Sequence, residues 1–498
     1  MSAEASGGGA SAGTKSSDPR FSEEENKLFD SFEKDLEVVN ETGRRADHGT
    51  TKIRTVPYKL RGNDKFDKYF LPKMFSFGPN PCYPDDGTLG MVANKIKVNL
   101  AGDFLKQNGV EKKDLYVDIK NLVKELKDCY DDEFTDYYED KDHELAWMFL
   151  VDGCAILQFM YISVDFRADP DPETQLRKLG IKSDHGAFLM QDMFLLENQL
   201  PYQLLQLIIR HAKRIMTHTK EDELLESIYK FIFYCIRTSE DWYKRKDEIL
   251  KYLHLKHEHV HLLHLLRKML IQPLDQMYKT NDFIETILGW AANLFDKLRC
   301  NRNEYWAPFR NIRKLREAGI NLKPSETSCV TDITFIGGTL KLPPISLDES
   351  TASTFFNILA YEMCHDFHNE YQVSSYVYFM NKLIDRTEDV EELREKNILQ
   401  HEFGSDEDVV KLFNEIGSLL FLNSDIYYEV KWKIDNYFDN RGFMWLRKVI
   451  HDIHQYFKNR WSLLALIAAL LALASGIIQT VYTVFAYQAD SKKASLDR

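Results

Sequence analysis

Twenty-seven consecutive residues, Trp461–Tyr487 (WSLLALIAALLALASGIIQTVYTVFAY), carry no charge. A chain with such a segment must bury it in a large core or give it to a bilayer. At 1.5 Å per residue the run makes about 40 Å of helix, enough to cross a hydrocarbon core of roughly 30 Å with tilt. It has no polar face to turn toward water, as a core helix usually has. Trp461 opens it and Tyr482 and Tyr487 stand near its far end, the places an aromatic belt occupies. The sequence therefore predicts one transmembrane helix over 461–487, followed by a short tail, 488–498.

Topology follows from the flanks. Arg441, Arg447, Lys448, Lys458 and Arg460 precede the run, whereas only Lys492, Lys493 and Arg498 follow it. That bias favours a cytoplasmic body. The opening MSAEASGGGASAGTKSSDPR has no apolar stretch of the secretory kind. Together these features describe a tail-anchored protein, and the plasma membrane is the expected site. A glycosylation sequon at Asn40-Glu-Thr42 matters only if the body faces outward.

What precedes the anchor is globular in composition, with 44% hydrophobic residues and 31 Phe and 25 Tyr, too much apolar bulk for a disordered body. A net charge of −13 with no basic block argues against a nucleic-acid partner. Cys82, Cys129, Cys154, Cys235, Cys300, Cys329 and Cys364 are odd in number and lack any CxxC, so neither a disulfide scaffold nor a zinc ribbon is indicated.

Along the chain, residues 1–21 read as a disordered Gly/Ser/Ala tail. Residues 22–50 read as an amphipathic helix and linker: Ser22 and Glu25 make a capping box, and Leu28, Phe29, Phe32, Leu36 and Val39 share a face. A helical body is expected over 51–457. It opens with an ordered, extended arm at 54–86, where five prolines disfavour helix while Val56, Tyr58, Leu60, Phe70, Met74, Phe75 and Phe77 call for burial. Leu145–Phe159 is apolar nearly all round and predicts a central buried helix. Residues 223–234, 254–270, 355–364, 373–383 and 409–420 also carry helical spacing, and 295–310 reads as an exposed connection. The one β signal is a hairpin near 331–347, with Ile333 and Phe335 set against Leu340 and Leu342 around Gly337-Gly338. The fold class is thus mainly α.

Polar residues inside apolar runs are the candidate site. In DMFLLENQLPYQLL (192–205), Glu197, Asn198 and Gln199 sit among leucines, and burying a carboxylate without a partner is costly. The simplest reading is a structural knot in which Asn198 caps a new helix with Pro201 in its first turn and Glu197 faces the helix dipole. A helix kinked at Pro201 is the other geometry. Asp152 in LVDGCAIL belongs to the same knot, bonded to neighbouring backbone or to Asn198 or Gln199, with Gly153 marking a close helix approach. In HLKHEHVHLLH (254–264), His257, His261 and His264 recur at i, i+4, i+7. They are read as a solvated histidine face rather than a metal site. Cys364, His365 and His368, and likewise His451 and His454, supply too few ligands. No metal or cofactor is expected.

Neither GxxxxGK[ST] nor GxGxxG occurs, and the GxSxG string at Gly9–Gly13 lies in the Gly/Ser/Ala tail with no strand before it to make an elbow, so no catalytic motif marks the chain as an enzyme. A membrane-tethered enzyme using Glu197 or Asp152, and a membrane scaffold docking through 22–40, are the alternatives.

A set of ordered blocks goes further. KIRTVPYKLR (52–61), FLPKMFSFGPNP (70–81), LVDGCAIL (150–157), QDMFLLENQLPYQLL (191–205), KLREAGINLK (314–323), LKLPPISLDEST (340–351), FFNILAYEMC (355–364) and the stretch from Ser374 to Ile416 resemble, in order, the plant family known as domain of unknown function 247. The family usually continues its Ser-x-Gly-Pro block, here Ser76–Pro79, with an aromatic residue and a histidine where this chain has Asn80-Pro81-Cys82. The resemblance implies a helical plant membrane protein without established enzymatic activity. Some relatives are encoded at grass self-incompatibility loci and proposed as pollen-side determinants. The implied function is protein–protein recognition at a membrane, with the partner unidentified.

Overall fold

The computed structural model describes residues 52–62, 65–80, 88–164, 171–213, 219–236, 259–271, 311–364, 371–419 and 426–439, together with Ala472, Ser475, Gly476 and Gln479. The tail 1–21, the helix and linker 22–50, the connection 295–310 and the tail 488–498 lie outside the described residues. So do His254, His257, His365, His368, His451 and His454. Of the apolar run 461–487 only the four isolated positions above are described, each helical and exposed.

The chain begins with an irregular arm carrying two single-turn helices, α1 (Tyr58–Arg61) and α2 (Phe66–Tyr69). There follow α3 (Thr88–Gln107), α4 (Lys112–Lys127), α5 (Asp132–Thr135), a 3-10 turn (Asp136–Tyr138) and α6 (Asp142–Val164). Next come α7 (Pro172–Lys178), α8 (Ser183–Asp192), α9 (Tyr202–Lys213), α10 (Thr219–Ile236), α11 (Leu262–Ile271) and α12 (Ile312–Glu317). Strands β1 (Asn321–Pro324), β2 (Thr334–Ile336), β3 (Thr339–Leu342) and β4 (Ile345–Leu347) precede α13 (Glu349–Glu362), α14 (Gln372–Leu383) and α15 (Thr387–Glu395). Strand β5 (Leu399–His401), α16 (Asp406–Leu419) and α17 (Tyr428–Asp439) complete the described body. The protein is mainly helical.

α6 is the axis. Leu145 to Phe159 are buried on every side except at Trp147 and Met148, because α3, α4, α9 and α10 all pack against it. Among the described residues it is the one helix long and apolar enough to cross a membrane, with mean hydropathy 1.7. Yet 83% of that window is buried inside the protein. Length and composition alone would misread this core helix as a span. Gly153 faces Ile208 and Leu204 of α9, the close approach that its place after Asp152 suggested. α13 joins the second half to the first by packing on α2, α8, α11 and α14.

The hairpin forms as β2 and β3, with Ile336 paired to Thr339 and a two-residue turn between them. Gly337 and Gly338 have φ of +60° and +84°, the left-handed pair that the tightest hairpins need. The expectation of a single small hairpin requires correction, however. Strand β1 adds in parallel to β3, giving the order β1-β3-β2, and β4 pairs in parallel with β5. These partners are brought together by intervening chain, which local alternation cannot register. A Cβ on Gly338 would meet Tyr437 Oη at 2.8 Å. Gly338→Val should therefore lower stability by about 2 kcal/mol or more, from left-handed strain plus displacement of Tyr437. A drop in the urea midpoint with unchanged slope checks it.

The arm also departs from expectation. It is extended over most of its length but includes the turns α1 and α2, and Tyr58 is 90% exposed rather than buried. Tyr58 is the first residue of α1. Leu60, two residues on, takes the inward position instead.

Candidate functional site: a buried polar clasp

Extended backbone without a ladder partner must find acceptors for its N–H groups elsewhere. The arm makes one isolated bridge, Ile53 with Tyr130, through Ile53 N to Cys129 O (2.7 Å) and Asp131 N to Ile53 O (3.2 Å). Beyond it, side chains from the helical body take over. Asp192, fully buried at the end of α8, accepts from Lys73 N (2.7 Å), Met74 N (2.9 Å) and Phe75 N (2.8 Å). Asn198 accepts from Phe77 N (2.6 Å) and donates to Phe75 O (2.9 Å), so it holds one residue's donor and another's acceptor. Asp152 accepts from Gly78 N (3.0 Å) and pairs with Lys97 Nζ at 2.8 Å. Lys97 also donates to Ser76 O at 2.8 Å. Glu197 accepts from Val56 N (2.6 Å) and from the Arg61 guanidinium, and Asn80 Nδ2 donates to it at 3.3 Å.

Asp152, Glu197 and Asn198 thus meet in one buried layer, all on the arm. Gln199 faces the other way. It donates to Met193 O and Leu195 O (2.7 Å each) and accepts from Leu263 N of α11 at 3.0 Å. Its own carbonyl accepts from Tyr130 Oη at 2.9 Å. Gly78, at φ +74°, packs so tightly here that a Cβ would lie 3.1 Å from that carbonyl. The layer is buried and charged, and burial pushes the Asp192 carboxyl up to about 6 against the pull of its three backbone donors.

The expected capping geometry is not what forms. α9 begins at Tyr202, so Asn198 is no N-cap, and 193–201 is non-helical linker between α8 and α9. α8 has already ended at Asp192, and Pro201 stands immediately before α9. The freed groups of this linker are met by Asn198, by Gln199 and by Asn357 Oδ1, which accepts from Leu196 N at 2.8 Å.

The histidine expectation is also corrected. His261 is buried and His264 half-buried rather than solvated, and α11 starts only at Leu262. His261 sits at the N-cap, where its Nδ1 accepts from His264 N at 3.1 Å. His264 Nδ1 accepts in return from Val260 N at 3.2 Å. Both rings must be unprotonated at Nδ1 to do this. Burial pushes His261 down to about 3. It pushes His264 to about 2, helped by His261, Lys268, His259 and Arg267. The unfolded chain therefore takes up protons first as pH falls through about 6.5, and stability is lost progressively from there toward 3. Asp192 acts oppositely, since its raised pKa relieves a penalty between about 6 and 3.8. Two histidines outweigh one aspartate. Between pH 7 and pH 5 the melting temperature should fall, by the equivalent of about 2 kcal/mol net. His261→Asn with His264→Gln should flatten that slope.

Sequence reasoning missed Asp192, Lys97, Asn357 and a second buried centre. There Glu362 (0% exposed) meets Arg267 Nε at 2.8 Å and accepts from Val373 N, Ser374 N and Ser374 Oγ at 3.1, 2.8 and 2.7 Å. Asp192 opens the same quoted stretch as Glu197, and Asn357 and Glu362 interrupt FFNILAYEMC in the same way. A polar residue inside an apolar block was the available signal. Among the described residues no group of three or more His, Cys, Asp or Glu is placed to hold a metal ion. A cleft of about 210 Å³ opens between α2, Phe356 and Glu415, and no clasp residue lines it.

The family model for a plant protein of unknown function, DUF247, matches residues 53–475. The chain belongs to this family. DUF247 therefore spans both the clasp and the arm it holds. The UPF0481 protein At3g47200 of Arabidopsis thaliana is 25% identical over 442 residues, covering 85% of each chain. The putative UPF0481 protein At3g02645 of the same plant is 27% identical over 188 residues, 35% of this chain and 33% of that one. No solved structure matches.

Proposed function

We propose that this DUF247 protein is a single-pass recognition protein, anchored through 461–487, whose helical body binds another protein at a plant membrane. A pollen-side role in self-incompatibility is one form of that reading. The observation that carries it is the uncharged run 461–487, joined to a body whose buried carboxylates already have structural partners. Since the apolar helix α6 is enclosed by its neighbours, the C-terminal run is the segment that suits a bilayer. The plasma membrane and a cytoplasmic body are part of the proposal.

The enzymatic alternative needs Glu197 or Asp152 to face a substrate. Both carboxylates instead accept arm backbone N–H groups and pair with Arg61 and Lys97, an arrangement that favours binding over chemistry. Protease protection on sealed vesicles, with tags at Met1 and Arg498, tests the reading. Extraction of the protein by alkaline carbonate would end it. Protection of the body would move recognition to the cell exterior, with Asn40 open to glycosylation.

A further inference from the structure

We infer that the face formed by Tyr116, Trp147 and the 3-10 turn docks a Lys/Arg-rich segment of a partner protein; this deepens the recognition reading and rests on it. Trp147 is the one large aromatic of α6 turned outward, 54% exposed, and Tyr137 is 58% exposed. The surface is continuous. Tyr116 lies against Trp147 with ring centroids 6.4 Å apart, and its hydroxyl donates to His143 O at 3.4 Å. Tyr138 ties the turn to α6 through Met148 Sδ at 3.9 Å. Large aromatics left in water on a body with a well-filled core mark contact surfaces.

Charge selects the occupant. Residues 131–144 carry eight acidic side chains; Asp131, Asp132 and Asp142 are paired with Arg54, Lys52 and Lys127, while Asp136, Glu139 and Asp140 are exposed beside Tyr137. The surface already seats one ammonium group, because Lys141 Nζ lies 3.5 Å from the Tyr137 ring centroid. Aromatic rings framed by carboxylates suit Arg and Lys through cation–π attraction and charge-assisted hydrogen bonds. A second copy is a poor occupant, since the chain carries −13 and this face would meet like charge. An anionic bilayer surface would repel it as well, so in an anchored protein the face points away from the lipid.

The test uses the full chain in nanodiscs of neutral lipid. The probe is a short fluorescein-labelled peptide of Arg, Lys and Leu, with a Gln-for-Arg/Lys version as control, read by anisotropy. Binding of the basic peptide alone is expected. It should weaken about tenfold in Trp147→Ser/Tyr137→Ser, and also in Asp136→Asn/Glu139→Gln/Asp140→Asn, with melting temperature unchanged because all these positions are exposed. Loss in the acidic variant alone would mean unspecific polyelectrolyte attraction and overturn the inference, as would no binding. A benzophenone at position 137 that crosslinks only within the chain, or only to a second copy, would also overturn it. Peptide binding that follows the expected pattern, with no partner retained from plant extracts, supports the face and removes the recognition reading. Capture that persists without peptide binding does the reverse.

Discussion

Asp192→Ala should cost about 4 kcal/mol of stability, among the largest effects available to a single substitution in this body. The carboxylate accepts three consecutive backbone donors, Lys73, Met74 and Phe75, deep in the structure. Alanine leaves all three without a protein acceptor, and each buried unsatisfied group costs about 1–3 kcal/mol. Relaxation of the arm recovers part of that sum. Asp192→Asn keeps one acceptor oxygen and should lose about half as much. Urea denaturation of the full chain, followed by near-ultraviolet circular dichroism, reads both. Limited proteolysis should cut the Asp192→Ala protein first between residues 65 and 80, since that stretch loses its hold. A midpoint shift under 1 kcal/mol would mean that the arm is held by its apolar side chains alone.

Removing Glu362 should be comparably severe for a different reason. Arg267 is 2% exposed and its Nε lies 2.8 Å from Glu362. Glu362→Ala strips a buried guanidinium of its carboxylate, and breaking one side of a buried pair costs about 3–5 kcal/mol. It also frees the first N–H groups of α14, at Val373 and Ser374, which Glu362 caps from α13. The double variant Glu362→Leu/Arg267→Met should be more stable than Glu362→Ala, because it removes the stranded charge along with its partner. A double-mutant cycle on melting temperatures measures the coupling. Additive losses would show that the pair does not act as a unit.

These centres explain how far the chain could be read in advance. Long elements with a clear period were legible. α6 follows from an apolar run and the β2–β3 turn from Gly337-Gly338, since both are set by neighbours in sequence. Glu197, Asn198 and Gln199 were legible as polar residues needing partners. Their partners were not, because Val56 and Phe77 lie more than a hundred residues away and offer only backbone N–H groups, which every residue has. The histidines were misread for a related reason. Spacing at i, i+4, i+7 assumes one continuous helix, while α11 begins only after His261. β1–β3 and β4–β5 were invisible because a parallel pair of three or four residues leaves no local pattern.

The clasp also dictates an order of events during synthesis. The arm is the first part of the described body to leave the ribosome, yet its acceptors at Asp152, Asp192 and Asn198 lie about 75 to 120 residues downstream in sequence. Its last ties come later still, when Ser353 Oγ and Asn357 Nδ2 donate to Tyr69 O at 2.9 and 2.8 Å. At roughly 5–20 residues per second, tens of seconds separate the making of the arm from the arrival of everything that fixes it. Through that interval Phe70, Phe75 and Phe77 have no core to enter. The arm is made before the groups that hold it, and it is among the last parts of the described body to lock.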